Sequence, residues 1–339
     1  MTTGERAPHA HRPPPEGARG AGAPGHQRTA ALPPASEDDA ETPLRSAGGV
    51  RPGPTTRVRV REVSGTSARD RRDDLATEEP LEIRITAGGR TRTLAVTMRT
   101  PGADFELAAG FLAAEGIVHP DPRNTVTSAA IASIAYCTDE DLPPEARYNT
   151  VTVRLDSPVL PELPNMHRHF MTSSACGVCG TASLDALRAR QATLPRTTPA
   201  SFPPVPAETL YELPRRLRKA QGIFGKTGGL HAAGLFTPDG SLLALREDVG
   251  RHNAVDKLIG WALLSGRLPL TSSILMVSGR TSYEIMQKAL SAGLPMVCGV
   301  SAPSSLAVAL AHDFALTLIG FLREERFNIY TGQERVITP

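Results

Sequence analysis

The last third of this chain alternates short apolar runs with helical stretches in an order that few architectures accommodate. Ile274 to Val277 and Met296 to Val300 read as buried strands, and Ala315 to Phe321 as a third. Between them, Thr281-Ser-Tyr-Glu284 predicts a capping box that opens a helix through Leu290, with Gly293 as its stop, and Ser301-Ala302-Pro303 leads into a helix from Ser304 to His312. A β-α-β-α-β order calls for parallel neighbours joined by right-handed crossovers. Three loops, Ser278-Gly279-Arg280, Ser301-Ala302-Pro303 and Leu322 to Arg326, then fall at the carboxyl ends of the strands, the edge where open α/β sheets bind ligands. Two of these loops open helices whose free N–H groups favour phosphate, and Arg280, Arg323 and Arg326 add positive charge. An anionic ligand is the expectation; solvated loop-tip arginines are the competing one.

Upstream, the pattern changes from parallel to hairpin. Arg57 to Val63 alternates with period two; Leu81, Ile83 and Ile85 alternate before Gly88-Gly89, and Leu94, Val96 and Met98 resume the alternation after it. Thr100-Pro101 offers a cap and a first-turn proline for a helix over Phe105 to Glu115, stopped by Gly116. Strands follow at Ala130 to Tyr136 and Asn149 to Leu155. A small α+β domain over 57–160 is expected. Residues 1–56 are dense in Pro, Gly, Ala and Arg with no apolar periodicity, which predicts a disordered tail. Beyond 160, the sequence predicts a short helix over 183–190, a proline-rich connector over 195–206, a basic helix from Leu210 to Gln221, a hairpin of Leu230 to Phe236 and Leu242 to Arg246 about Asp239-Gly240, and a helix from Asn253 to Leu264.

Chemistry concentrates in Cys176-Gly-Val-Cys179-Gly180, which holds two of the four cysteines. Glycines leave the sulfurs uncovered, and the orphan N–H groups of a helix start stabilise a thiolate. Four cysteines in 339 residues make no disulfide framework, and the tail lacks the apolar core of a secretory signal, so a reducing cytoplasm is expected, where such a pair is metal-binding or reactive. No run is long and apolar enough to span a bilayer, and a net charge of +2 gives no argument for nucleic acid. Zinc is the rival for the pair, since His167, His169, Cys176 and Cys179 formally complete a Cys2His2 set; the spacing is unlike familiar fingers, a deaminase-type site would need a missing His-x-Glu, and no metal is expected.

Other candidates are weighed in the same way. Gly225-Lys226-Thr227 mimics the end of a phosphate-binding loop, but Ala220 stands where its first glycine belongs. Arg251 and His252 lie at an expected helix start and suit a phosphate contact and a proton or hydrogen-bond donor, against a plain capping network. His231 on a strand reads as packed, and Cys137 and Cys298 as core-like.

Taken in order, Pro101-Gly-Ala-Asp-Phe-Glu-Leu-Ala108, Cys176-Gly-Val-Cys-Gly180, Thr227-Gly-Gly-Leu-His-Ala232, Glu247-Asp-Val-Gly-Arg-His-Asn-Ala-Val-Asp-Lys257, Ser278-Gly-Arg280, Ser301-Ala-Pro303 and Arg326-Phe-Asn-Ile-Tyr330 resemble the formate dehydrogenase accessory sulfur-carrier family from about residue 57 onward. The resemblance implies a sulfurtransferase that takes sulfane sulfur from a cysteine desulfurase as a persulfide on Cys176, beside Cys179. It passes that sulfur to the molybdenum cofactor, in its bis-molybdopterin guanine dinucleotide form, before insertion into formate dehydrogenase. It further implies a homodimer, cofactor contacts at Phe321, Leu322, Arg323, Glu324, Glu325 and Arg326, and a larger domain, 161–339, similar to cytidine deaminases. Glu324 and Glu325 depart from a more basic pattern. With Ser278, Gly279, Arg280 and Ser301 added from the strand-edge reading, and Arg251 and His252 from the helix start, these residues are the expected cofactor site. The fold class expected is α/β: a small N-terminal α+β domain, then a cytidine-deaminase-like three-layer α/β domain. A guanine-nucleotide-binding regulatory module with a structural zinc at the cysteine pair is the alternative.

Overall fold

The computed structural model describes residues 51–118, 129–137, 147–161 and 202–339, all within one compact unit, Pro43–Pro339. Cys176 and Cys179, His167 and His169, the helix expected over 183–190, most of the proline-rich connector and the tail up to residue 50 lie outside the described residues.

The described chain opens with an antiparallel ribbon of β1 (Thr55–Ser64) and β2 (Ser67–Ala76). β1 begins inside the segment read as tail. β2 carries no apolar alternation and is invisible to periodicity; register pairing and cross-strand charges such as Arg57–Asp74 and Arg69–Glu62 hold it instead. Next come β3 (Glu79–Ala87) and β4 (Arg90–Arg99), the hairpin expected about Gly88-Gly89, whose φ of 53° and 72° only glycine adopts without strain. Helix α1 (Asp104–Ala114) starts three residues beyond the expected Thr100-Pro101 cap. The reason is electrostatic. Asp104, in the first turn, receives two hydrogen bonds from the fully buried Arg99 at 3.0 and 3.2 Å and one from Tyr136 Oη at 2.9 Å, so the turn forms around that carboxylate. β5 (Ala130–Tyr136) and β6 (Thr150–Asp156) complete a four-stranded sheet ordered β4-β3-β6-β5, with β3 and β6 parallel. Leu81, Ile83, Ile85, Val151 and Val153 point to one face and pack on Leu107, Ala108 and Leu112 of α1.

The second sheet has six strands. After β7 (Val205–Pro206) come α2 (Ala207–Ala220) and the short α3 (Gly222–Thr227), then the hairpin β8 (His231–Phe236) and β9 (Leu242–Asp248), and α4 (Arg251–Leu264). β10 (Ile274–Val277), α5 (Tyr283–Ser291), β11 (Met296–Gly299), α6 (Ser305–Asp313) and β12 (Thr317–Arg323) form the β-α-β-α-β unit, with β10, β11 and β12 parallel as expected. β13 (Arg326–Thr331) returns antiparallel on β12, and β14 (Val336–Ile337) pairs with β7. The sheet order is β13-β12-β11-β10-β8-β9. Helices α4, α5 and α6 cover one face through Val255, Leu258, Ile285, Met286 and Leu310. The opposite face is covered by α2 through Leu210, Leu213 and Leu217, with Phe202 and Val336. This three-layer α/β arrangement agrees with the expected fold class.

The sheets are joined by α1 against α4. At their crossing Gly110 faces Asp256 and Gly260, and Gly260 faces Glu106 and Gly110; a Cβ on either would meet the other helix's backbone. An Arg246–Glu106 pair, at 2.5 and 2.6 Å, adds a charged contact beside the crossing.

Candidate functional site at the carboxyl edge of the sheet

Because β8 runs antiparallel to β10, its first residue lies beside the carboxyl end of β10, and His231 pairs with Asp248 at the end of β9. The amino terminus of α4 follows two residues later. One edge therefore collects His231, Asp248, Arg251 and His252 with the loops after β10, β11 and β12.

Asp248 organises this edge. It is fully buried, and one oxygen accepts from Gly250 N at 2.8 Å and Asn253 Nδ2 at 3.1 Å, while the other accepts from Thr100 N at 3.1 Å and faces Lys257 Nζ at 2.6 Å. Lys257, also buried, donates further to the carbonyls of Thr100 (2.7 Å) and Glu247 (3.3 Å). A buried ion pair is tolerable only when its remaining donors and acceptors are met, as here. Thr100, expected as a helix cap, instead accepts from Val249 N at 3.1 Å and ties the β4–α1 connection to this edge.

On that platform stand Arg251 and two histidines. Gly279 has no side chain, and the space a Cβ would take there is 3.4 Å from the His231 ring and 3.7 Å from Arg251 Cδ. Arg251 Nε is buried with no hydrogen-bond partner, and no carboxylate pairs with its guanidinium among the described residues. Burial, and then the Arg251 charge, hold His231 below the usual imidazole range. His252 is pushed down to about 4 by burial and by the Lys288 and Arg251 charges; its Nε2 lies 3.0 Å from Ser282 Oγ and 3.8 Å from Glu284. Both rings are neutral at pH 7. The capping box expected at Thr281–Glu284 does not form: Ser282 is the N-cap and turns its hydroxyl to His252, while Thr281 bridges to Pro303 and leaves its buried Oγ1 unpartnered.

The remaining expected site residues divide by what they already do. Ser278 Oγ accepts from Ala232 N at 2.8 Å, so it holds β8 to the loop. Arg280 is exposed, and Ser301 is half-buried with its carbonyl accepting from Phe321 N at 3.2 Å. The segment 322–326, expected as a loop, is the tip of the β12–β13 hairpin: Phe321, Leu322 and Arg323 close β12, Glu324 and Glu325 turn, and Arg326 opens β13. Positive φ at Phe321 (53°) and Glu324 (34°) and a register shift bend the strand there. Arg323, Glu324, Glu325 and Arg326 project into solvent and Phe321 is half-buried, whereas the Leu322 side chain is fully buried in the core under α2 and can meet a ligand only through its backbone.

Two other sequence candidates are settled by contacts. The amides of Ile223 and Phe224 at the start of α3 donate to the Glu247 carboxylate at 3.0 and 2.7 Å, so an internal anion fills the place a phosphate would take, and a nucleotide-hydrolysing loop at Gly225-Lys226-Thr227 is ruled out. Cys298 is buried and its thiol is pushed far up by desolvation, consistent with a core residue. Among the described residues no cluster of three or more His, Cys, Asp or Glu is placed to hold a metal, and no helix is long and apolar enough to cross a membrane.

Sequence reasoning missed the Asp248–Lys257 pair; it read His231 as packed and Thr281 as a cap, and the structure brings both to this edge. A nine-residue separation between carboxylate and ammonium carries no periodic signal, and His231 reaches the edge only because β8 reverses direction beside β10.

Known proteins bear on this arrangement. Sulfur carrier proteins FdhD from Mycolicibacterium paratuberculosis and Streptomyces avermitilis are 50% and 49% identical to this chain over 283 and 285 residues, covering 83% of it and 98% and 95% of the relatives. The archaeal one from Sulfurisphaera tokodaii is 43% identical over 281 residues, covering 83% of this chain and 98% of its own. A crystal structure of a protein from Desulfotalea psychrophila, assigned as a formate dehydrogenase accessory protein, superposes with a TM-score of 0.59 at 22% identity over 84% of this chain and 99% of its own, which shows a shared fold. The FdhD/NarQ family model matches residues 76–337, spanning both sheets and the whole of the edge built around Asp248, and the chain belongs to that family.

Proposed function

We propose that this protein carries sulfur for the maturation of a formate dehydrogenase. Cys176 accepts a sulfane sulfur from a cysteine desulfurase, and the molybdenum cofactor, as bis-molybdopterin guanine dinucleotide, receives it while docked along the carboxyl edge of the six-stranded sheet. In the first step the Cys176 thiolate attacks the terminal sulfur of the donor persulfide; the donor S–S bond breaks and the donor leaves as a thiolate. In the second, the Cys179 thiolate attacks Cys176 Sγ, hydrosulfide leaves to the cofactor as substrate, and a Cys176–Cys179 disulfide remains for a cellular dithiol to reduce.

The observation that carries this reading is the Arg251 guanidinium, whose buried Nε has no hydrogen-bond partner and which makes no ion pair among the described residues, beside the neutralised Asp248–Lys257 pair. A phosphate-bearing substrate supplies the missing negative charge, and the nearby helix starts favour it. The names of the relatives support sulfur transfer over the regulatory-module alternative. Arg280, Arg323 and Arg326 extend the positive rim, with Phe321 and the backbone of Leu322 beside them; Glu324 and Glu325 are suited to hydrogen bonds rather than phosphate contacts.

The test is mass spectrometry of the whole chain after incubation with desulfurase and cysteine, together with formate dehydrogenase activity in cells. An added sulfur on Cys176, and loss of maturation in Cys176→Ala, are expected. A chain that takes up no sulfur, or a Cys176→Ala variant that still matures the enzyme, removes the proposal.

A further inference from the structure

The edge holds one titratable side chain that the readings above leave without a role. His231 makes no side-chain hydrogen bond among the described residues, is half-buried, and lies with Arg251 around the opening left by Gly279. His252 lies on the same helix start as Arg251, its Nε2 facing Ser282. Two imidazoles flanking a guanidinium that makes no ion pair among the described residues, with Glu284 the carboxylate that acts on it from farther off, make a site whose charge is adjustable. We propose that His231, Arg251 and His252 form one pyrophosphate subsite, and that filling it draws protons onto the two imidazoles. This rests on the proposal that a guanine dinucleotide docks at this edge.

The coupling follows from what surrounds each ring. His231 faces the Arg251 cation and the Asp248 carboxylate, but Asp248 is neutralised by Lys257. His252 faces Arg251, Lys288 and His231 against the single carboxylate of Glu284, and Lys288 is bonded to Asp256 at 2.7 and 2.9 Å. Burial first, then the Arg251 charge at His231 and the Lys288 and Arg251 charges at His252, disfavour protonation of both rings. An incoming anion beside Arg251 cancels that repulsion and adds attraction, so each ring binds a proton more readily when the site is filled. By linkage, affinity for the anion must then rise as pH falls. Asparagine or glutamine in place of the histidines would hydrogen-bond phosphate equally well but could not respond to pH.

The experiment is calorimetric titration of the full chain with GDP-mannose, whose pyrophosphate is a diester, as in the dinucleotide, and has no phosphomonoester group to titrate near pH 6. Measurements run from pH 5.5 to 7.5 in buffers of different ionisation enthalpy. Affinity is expected to rise roughly fivefold from pH 7.5 to 5.5, with net proton uptake, corresponding to about one pKa unit regained by His231. His231→Gln should lose most of the pH dependence and uptake in this range, because His252, held down to about 4, titrates below it, and His231→Gln with His252→Gln should show neither. Binding without pH dependence or uptake overturns the coupling and leaves the docking proposal standing, as does uptake that persists in the double variant. No binding at any pH overturns both. The unaltered chain alone decides the first question, so a variant that fails to fold does not rescue the idea.

Discussion

Replacing Gly110 with alanine offers a sharp test of how the sheets are joined. In an open helix interior this change is stabilising, by about 0.5–1 kcal/mol, because alanine gives up less backbone freedom on folding. At Gly110 the new methyl would lie 2.8 Å from the Gly260 amide nitrogen and closer still to the Asp256 carbonyl oxygen. Both atoms belong to a helix backbone and cannot rotate away, so α1 and α4 must separate by about an ångström, against core packing that tolerates little misfit. Overpacking of this kind typically costs 1–3 kcal/mol, and more where only backbone can yield; a net loss of about 3 kcal/mol is expected. Gly225→Ala is the control, since that helical position has nothing within 4 Å, and it should be neutral or stabilise by about 0.5 kcal/mol. Urea unfolding with shared slopes gives both values. Gly260→Ala strikes the same crossing from the other side, so the double variant should cost less than the sum of the singles, the second methyl entering a gap already opened. A Gly110→Ala protein as stable as the parent would refute the close approach and with it the rigid junction.

Asp248→Asn leaves Lys257 buried without its carboxylate and should lower stability by about 3–5 kcal/mol, read by thermal unfolding. Glu247→Gln keeps an acceptor but removes the charge that meets the amides of Ile223 and Phe224, and about 1 kcal/mol of loss in urea is expected. His252 has a folded-state pKa pushed down to about 4, below its unfolded value, so the unfolded chain binds more protons between about pH 6.5 and 4 and stability should fall across that window on acidification. His252→Gln should flatten that part of the stability profile by about 2 kcal/mol; an unchanged slope would place the acid sensitivity elsewhere.

Local patterns carried much of this molecule. The hairpin about Gly88-Gly89, the strand Ile274–Val277 and the parallel β10-β11-β12 unit each follow from period, turn residues and length, because in each case one face or both are buried and the apolar spacing records it; Ala130–Tyr136 was legible too, although Ile131, Ile134 and Tyr136 are only partly buried. Those same patterns place the loops of the site at one edge. β2 and β13 escaped detection because neither has a fully buried face: β2 is held by backbone pairing and cross-strand charges, and β13 by pairing with β12 and the partly buried Phe327 and Ile329.

What the amino-acid order determined by itself was therefore the layered α/β class, the edge where the loops after the parallel strands gather, and the family resemblance. The start of α1, the fate of Thr100 and Thr281, the Asp248–Lys257 pair and the meeting of His231 with Arg251 were decided only in three dimensions. Each depends on a charge or hydroxyl choosing among partners brought close by distant strands, Asp104 with Arg99, Thr100 with Val249, His231 with Gly279. Burial leaves a periodic trace along the chain. The desolvation and pairing of individual polar groups leave none, since their energies depend on neighbours that only the assembled sheets supply.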